Sequence, residues 1–140
     1  MLTAVTLVGL VVLVALIWLF LKTRSKDLIE EMIAKRRGSS RLVSRAEFVE
    51  GMERMGVALS LTDDRIVYEN PDLDAYLELR HLEEIEYDDE TATGHSVEGR
   101  ILRLRSHGHT FEFILDPATA RQWESMLPPR RADQGTAKAV

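Results

Sequence analysis

The sequence contains no cysteine, which excludes disulfide frameworks, thiolate metal sites and cysteine nucleophiles. It also lacks a Gly-rich phosphate-binding loop, an HExxH zinc motif and a G-x-S-x-G nucleophile motif. At 140 residues the chain can bury one modest core, which leaves little room for a deep active-site cleft. We therefore expect a protein that is not an enzyme, with no catalytic residues, no metal, no cofactor and no small-molecule substrate.

Charge is absent from residues 2–21, a run dominated by Leu, Val and Ile. About twenty such residues cross the hydrocarbon core of a bilayer as a helix, and Trp18 and Phe20 suit the interface at its end. A cleavable signal peptide would need a basic n-region, a shorter apolar stretch and a small-x-small cleavage site, and the run does not fit this pattern. Residues 2–21 are predicted to form a transmembrane helix in contact with the lipid bilayer.

Basic residues follow the apolar run directly. They form a predicted membrane-surface cluster of Lys22, Arg24, Lys26, Lys35, Arg36 and Arg37. Because Lys and Arg beside a span favour the cytoplasmic side, the domain is predicted to lie in the cytoplasm. The protein is thus expected in the cell (inner) membrane as a single-pass protein with its N-terminus outside.

The rest of the chain is acidic. Residues 42–128 carry eight Lys/Arg against nineteen Asp/Glu, a net charge of −11. Such a domain is repelled by nucleic acid and by anionic lipid head groups, so no nucleic-acid partner is expected.

Residues 22–43 are predicted to form a basic juxtamembrane helix and linker, with a stop at Gly38-Ser39-Ser40. Within this helix an apolar stripe consists of Leu28, Ile29, Met32 and Ile33. The stripe can lie in the head-group interface, pack on the globular domain or pair with a second copy. It is too short for a convincing coiled coil, and the sequence leaves the three alternatives open.

Beyond the linker, short alternating segments predict about six strands. The apolar segments are Val57–Leu61, Ile66–Tyr68, Tyr76–Leu79, Ile85–Tyr87, Ile101–Arg105 and Phe111–Leu115, with a polar loop predicted from Thr91 to Gly99. In the clearest pair, Leu102 and Leu104 face inward, whereas Arg103 and Arg105 face outward. Both arginines are expected opposite Glu112 and its neighbours on the adjacent strand.

A helix is predicted to close the domain. Asp116 is a favourable N-cap, Pro117 suits the first helical position, and Trp123 is expected to anchor the helix in the core. Pro128-Pro129 ends the helix, and residues 129–140 are predicted to be a disordered tail. The apolar spacing in Ser44–Met55 locally favours a helix over a strand, although Gly51 weakens that interpretation.

Three segments together resemble the bacterial PH-like and GRAM-like domains of the pleckstrin-homology superfold. They are Gly56–Tyr68, Leu79–Glu86, and Phe111–Phe113 followed by Asp116 and Trp123. The resemblance implies an α+β protein: a transmembrane helix and, over residues 44–128, a small antiparallel β-rich PH-like partial barrel capped by a C-terminal helix. It also implies that Ser44–Met55 contains the first strand.

The best-known activity of these domains is phosphoinositide binding through several Lys/Arg near the first hairpin. This sequence offers only Arg45 and Arg54 there, among Glu47, Glu50 and Glu53, so head-group binding is poorly supported. Many members of the superfold bind proteins instead.

The remaining polar motifs have ordinary explanations. His107 and His109 lack the third and fourth ligands that a metal site needs. The carboxylates of Asp63-Asp64 and Asp88-Asp89-Glu90 lie in predicted turns or strand ends without an accompanying nucleophile.

The leading hypothesis is a membrane-tethered, non-catalytic interaction module that docks a protein partner at the membrane surface. The alternative is a peripheral module that contacts lipid through its basic juxtamembrane segment. The sequence does not identify the residues of the domain that bind the partner.

Overall fold

The computed structural model describes residues 2–131, apart from the side chain of Ser25, and shows an α+β protein. An N-terminal helix is followed by seven strands and a C-terminal helix, which confirms the predicted fold class. The helices are α1 (Leu2–Arg36) and α2 (Pro117–Met126). The strands are β1 (Leu42–Glu50), β2 (Glu53–Leu61), β3 (Arg65–Asn70), β4 (Leu73–Glu78), β5 (Leu82–Glu90), β6 (Ser96–Ser106) and β7 (His109–Leu115).

Helix α1 continues without a break from the apolar run into the predicted juxtamembrane helix. Its 35 residues span about 52 Å at the rise of an α-helix. The part that contains residues 2–21 is long and apolar enough to cross a membrane, and its side chains are exposed. The helix ends at Arg36 and a turn follows, as the Gly-Ser-Ser stop predicts.

The strands form one antiparallel sheet in the order β4-β3-β2-β1-β7-β6-β5. Strand β1 pairs with β2 over its whole length, but with β7 only from Glu47 to Val49. The sheet curls into a half-barrel, and β1 separates from β7 beyond this short contact. Strands β4 and β5 are the two edges.

The local preference for a helix in Ser44–Met55 is wrong, because this segment supplies β1 and the start of β2. Ala46 and Phe48 face the core, whereas Arg45 and Glu47 face outward, which is strand alternation. Gly51 lies in the tight turn between the two strands with φ of 62°. The strand implied by the family resemblance is observed.

The predicted loop from Thr91 to Gly99 is shorter than expected, because β6 already begins at Ser96. Gly99 lies where β6 passes close to the end of β7. A Cβ atom added at this position would overlap the backbone carbonyl of Leu115. Only glycine permits so close an approach of the two backbones.

The core fills the inside of the half-barrel and is closed by α2. Val57, Leu59 and Phe113 from the sheet pack with Trp123 from the helix, and all four are completely buried. Trp123 Nε1 donates to Ser44 Oγ at 2.8 Å. Asp116 accepts from the backbone N–H of Thr119, with Pro117 at the helix start, so the predicted N-cap and core anchor are confirmed.

The chain remains ordered past the end of α2. Arg130 and Ile85 exchange two backbone hydrogen bonds of 2.8 Å, and this bridge covers part of the β5 edge. The Arg130 side chain also donates to the carbonyl of Leu82. Backbone pairing with the sheet thus continues to Arg130, the domain bounds 44–128 stay a prediction, and residues 132–140 of the predicted tail lie outside the described part of the chain.

Candidate interaction surfaces

The C-terminal part of α1 packs on the outer face of the sheet. Because Val57, Leu59 and Leu61 point into the core, the alternate residues of β2 point outward. These outward residues are Gly56, Ala58 and Ser60, all of them small, and they allow a helix to approach the strand closely. Ile29 and Ile33 of α1 are 3% and 4% exposed against Ala58, which is 0% exposed.

The apolar stripe of the juxtamembrane helix therefore packs on the globular domain. Of the three alternatives that the sequence left open, this is the one observed. Met32 and Val43 complete the contact at its border. At Gly56 an added Cβ atom would lie only 3.1 Å from Ile29 Cδ1, so a larger residue there would push the helix away.

Ion pairs hold both sides of this contact. Arg36 Nε and Nη2 donate to the two oxygens of Glu69 at 2.8 and 3.2 Å, a bidentate pair with fixed geometry. The hydrogen bond to Glu69 raises the pKa of Arg36 above its ordinary value. On the other side, Arg45 Nη1 lies 3.9 Å from Glu30 Oε1.

The predicted basic cluster is therefore divided by the fold. Arg36 is half-buried and forms an ion pair with Glu69, so its charge is paired within the protein. The side chains of the other five members, Lys22, Arg24, Lys26, Lys35 and Arg37, are exposed. Lys22 Nζ lies 4.9 Å from the centroid of the Trp18 ring, at the end of the apolar run.

A cleft of about 930 Å³ opens where β1 separates from β7, beside the start of α2. Its apolar lining includes Val97, Ile114, Leu115 and Pro117, and its charged lining consists of Arg45, Glu47, Arg54, Glu98 and Asp116. Arg45 is also the partner of Glu30 in α1, so the cleft lies beside the docked helix. Glu30 follows Leu21 by nine residues, or about 14 Å along the helix.

The outer face of β5, β6 and β7 is centred on Arg103, whose side chain is 17% exposed. Arg103 donates to Glu86 at 3.0 Å, to Asp88 at 3.2 Å and to Glu112 at 3.2 Å. It stands opposite Glu112 in the β6–β7 register, as predicted. Arg105 stands opposite Thr110, but its ion pair is with Glu83 at 3.5 Å.

Because of this network, the free energy of unfolding depends on pH in the acid range. The backbone N–H of Asp89 and the side chain of Arg103 lower the pKa of Asp88. A carboxyl group with a depressed folded-state pKa contributes stability above its unfolded pKa of about 3.9 and loses it as the pH falls through the folded value. We expect the full chain to become less stable below about pH 4 and the Asp88→Asn variant to show a weaker loss, measured by urea unfolding against pH.

The control for this prediction is Asp89→Asn, which removes the same charge but retains the backbone N–H that bonds Asp88. An identical acid dependence in Asp88→Asn and in the unmodified chain would contradict the assignment.

The histidines form no metal site in the described part of the chain. His107 and Gly108 make the tight turn between β6 and β7, with φ of 51° and 77°. The His107 ring lies 4.8 Å from that of His81, which is 3.0 Å from a Glu78 oxygen. Within residues 2–131 no group of three or more His, Cys, Asp or Glu side chains is arranged to hold a metal ion.

Asp63 and Asp64 lie in the turn between β2 and β3. Hydrogen bonds from Arg65 and Thr62 lower the pKa of Asp64, so this carboxylate is held by its own turn. Asp88 belongs to the Arg103 network, as described above.

No protein-family model, curated protein or solved structure matches the chain. The assignment of a function therefore depends on the geometry of the molecule.

Sequence reasoning missed the docking face of β2. A sheet face in water usually carries polar or charged side chains, whereas Gly56, Ala58 and Ser60 are all small. Together with an apolar stripe in the preceding helix, this alternation was the available signal. The cleft had no such signal, because it arises from the separation of β1 and β7 in three dimensions.

Proposed function

We propose that the chain is a membrane-tethered, non-catalytic interaction module with a PH-like domain, which docks a protein partner close to the membrane surface. The observation that carries the proposal is the unbroken helix α1, which is long enough to cross a membrane and then packs on the sheet. This arrangement holds the domain at one height and leaves the cleft beside β1 open.

The PH-like assignment is supported by the order of the strands. A seven-stranded antiparallel half-barrel with β1 between β2 and β7, and with a helix after the last strand, is compatible with that fold. The inward alternation and buried Trp123 fit the residues that carry the resemblance.

The proposed location is the inner membrane of a bacterial cell, with the N-terminus outside and the domain in the cytoplasm. The exposed basic residues beside the apolar run support it, because Lys and Arg at a span end favour the cytoplasmic side. A single thiol introduced by Ala92→Cys, at an exposed turn position, should react with an impermeant maleimide only after the inner membrane is opened.

The cleft suits an extended polypeptide segment of a membrane-embedded partner. Its mixed lining offers an apolar floor at Ile114 and Leu115 and charges of both signs at Arg54 and Glu98. Tethering confines both proteins to a thin layer and raises their effective concentration, so a modest affinity suffices.

The test is site-specific photo-crosslinking in native membranes. A probe at Val97, in the cleft, should give a discrete adduct with one partner, whereas a probe at Glu83, on the edge strand, should give none. The adduct from Val97 should decrease in the Ile114→Arg variant, because the larger side chain fills the cleft. A protein that gives no adduct from Val97 and always purifies alone would contradict the proposal.

A second function, lipid contact through the juxtamembrane segment, is favoured by the exposure of five members of the basic cluster. Each Lys or Arg near an anionic surface contributes about 1 kcal/mol. Triple substitution of Lys22, Arg24 and Lys26 by glutamine separates the two functions, because these residues follow the end of the apolar run within about 8 Å of helix. Lys35 and Arg37 lie more than about 20 Å away and are kept as the cytoplasmic charge. Partner crosslinking through the cleft should persist, whereas any dependence of the domain on anionic lipid should disappear.

A further inference from the structure

Met52 is the most exposed large apolar side chain outside the anchor in the part of the chain that the structure describes. It is 85% exposed and lies next to Gly51 in the turn between β1 and β2. Nothing in the core requires methionine at this position, since the side chain is not part of the core cluster and lies in a shallow depression with Val49, Thr91 and Thr93.

The position of this turn relative to the anchor follows from the docking of α1. The end of α1 at Arg36 lies near the Leu61 end of β2, because only a short turn joins it to β1, which begins opposite Leu61. Ile29 lies against Gly56, closer to the start of β2. Movement along β2 from Leu61 toward Gly56 is therefore movement along α1 toward the membrane.

The apolar run and the β1–β2 turn lie at nearly equal distances from the Ile29–Gly56 contact. Leu21, the last residue of the apolar run, precedes Ile29 by eight residues, or about 12 Å of helix. Met52 precedes Gly56 by four residues, or about 13 Å of extended chain. The β1–β2 turn thus reaches the level at which the apolar run of α1 ends.

We infer that Met52 makes a second contact with the bilayer that holds α1, with its side chain in the interfacial region. The inference rests on the proposed anchoring of residues 2–21. Methionine is flexible and apolar and adapts to such an environment. Glu50 and Glu53 flank the turn, so the contact is apolar and does not select anionic head groups.

This contact would fix the rotation of the domain about the axis of α1. One helix sets the height of the domain above the bilayer, and a second point of contact also sets which face is turned toward the membrane. The cleft would then be presented in one orientation to a membrane-embedded partner.

The cysteine-free full chain allows a direct test in lipid bilayers. Single-cysteine variants Met52→Cys, Leu13→Cys and Asp63→Cys are labelled with an environment-sensitive fluorophore and reconstituted into phosphatidylcholine containing lipids with a quencher near the head group or along the acyl chain. Asp63 is exposed in the turn after Leu61, at the end of β2 that faces away from the membrane. We expect head-group-proximal quenching at residue 52, acyl-chain quenching at residue 13, and no quenching at residue 63.

The outcomes separate this inference from the proposed function. Quenching at residue 13 without quenching at residue 52 would overturn the Met52 contact and leave the anchor intact. Absence of quenching at residue 13 would overturn the anchor itself.

A second variant tests the role of the docked geometry. Ala58→Arg, which places a charge under Ile29 and Ile33, should abolish quenching at residue 52 and leave residue 13 unchanged. Persistent quenching at residue 52 in this background would show that the docked helix does not produce it, and would also overturn the inference.

Discussion

Replacement of Trp123 by alanine is expected to lower the free energy of unfolding by about 3–5 kcal/mol. The indole is completely buried at the contact between α2 and the sheet. Its removal leaves a cavity and ends the 2.8 Å hydrogen bond to Ser44. Since a domain of this size is stable by only about 5–15 kcal/mol, the loss is a large fraction of its total stability.

Urea unfolding of the full chain in detergent, followed by hydrogen exchange in β6 and β7, measures the effect. Trp123→Phe retains most of the volume but loses the hydrogen bond, which costs about 1 kcal/mol in addition to the smaller packing loss. Met126→Ala alters the exposed side of the same helix and should stay within about 0.5 kcal/mol of the unmodified chain. A Trp123→Ala variant as stable as Met126→Ala would show that α2 is not part of the cooperative core.

The parts of the fold that the sequence predicted are those in which one strand face is apolar and the other polar. In β6, Leu102 and Leu104 alternate with Arg103 and Arg105, so both the strand and its inner face can be assigned from the spacing alone. The cap at Asp116 is equally local, because it requires only its own turn of helix.

The local pattern favoured a helix where β1 lies because the outer face of this strand is not uniformly polar. Val49 faces outward beside Phe48, and together with Met52 and Met55 they give the spacing i, i+1, i+4 and i+7 of a helix. Val49 is tolerated there because the turn at Thr91 and Thr93 folds over the outer face of the sheet. The Ala92 backbone N–H donates to Glu112 and fixes that turn in place. This cover comes from residues more than forty positions away, so the local pattern does not reveal it.

The candidate surfaces depend even more on long-range pairing. Arg103 was expected to face Glu112, but its contacts with Glu86 and Asp88 follow from the β5–β6 register. The Arg36–Glu69 pair joins α1 to β3 across 33 residues of sequence. Arg36 was assigned to the membrane-surface cluster because the sequence shows its charge beside the apolar run but does not show that Glu69 is its partner.

Conversion of Ala58 to arginine is expected to detach α1 from the sheet while the half-barrel remains folded. Ile29 and Ile33 are nearly fully buried against Ala58, and burial of each isoleucine contributes about 1.5–3 kcal/mol. A charge with no partner in this contact costs several kcal/mol. A penalty of about 3 kcal/mol lowers the ratio of docked to undocked molecules by about 100-fold.

Thiol accessibility measures the change, since the chain has no native cysteine. A thiol at Ile33→Cys should react slowly with maleimide in the otherwise unmodified chain and rapidly when Ala58→Arg is added. Ala34→Cys, on the exposed side of the same helical turn, should react rapidly in both backgrounds. Ser125→Arg is the matched charge control, because it adds the same side chain to the exposed face of α2, whereas α1 packs on β1, β2 and β3. Slow labelling at residue 33 in the presence of Ala58→Arg would mean that the helix does not depend on this face. The sheet would then be held against α1 by the Arg36–Glu69 and Arg45–Glu30 ion pairs instead.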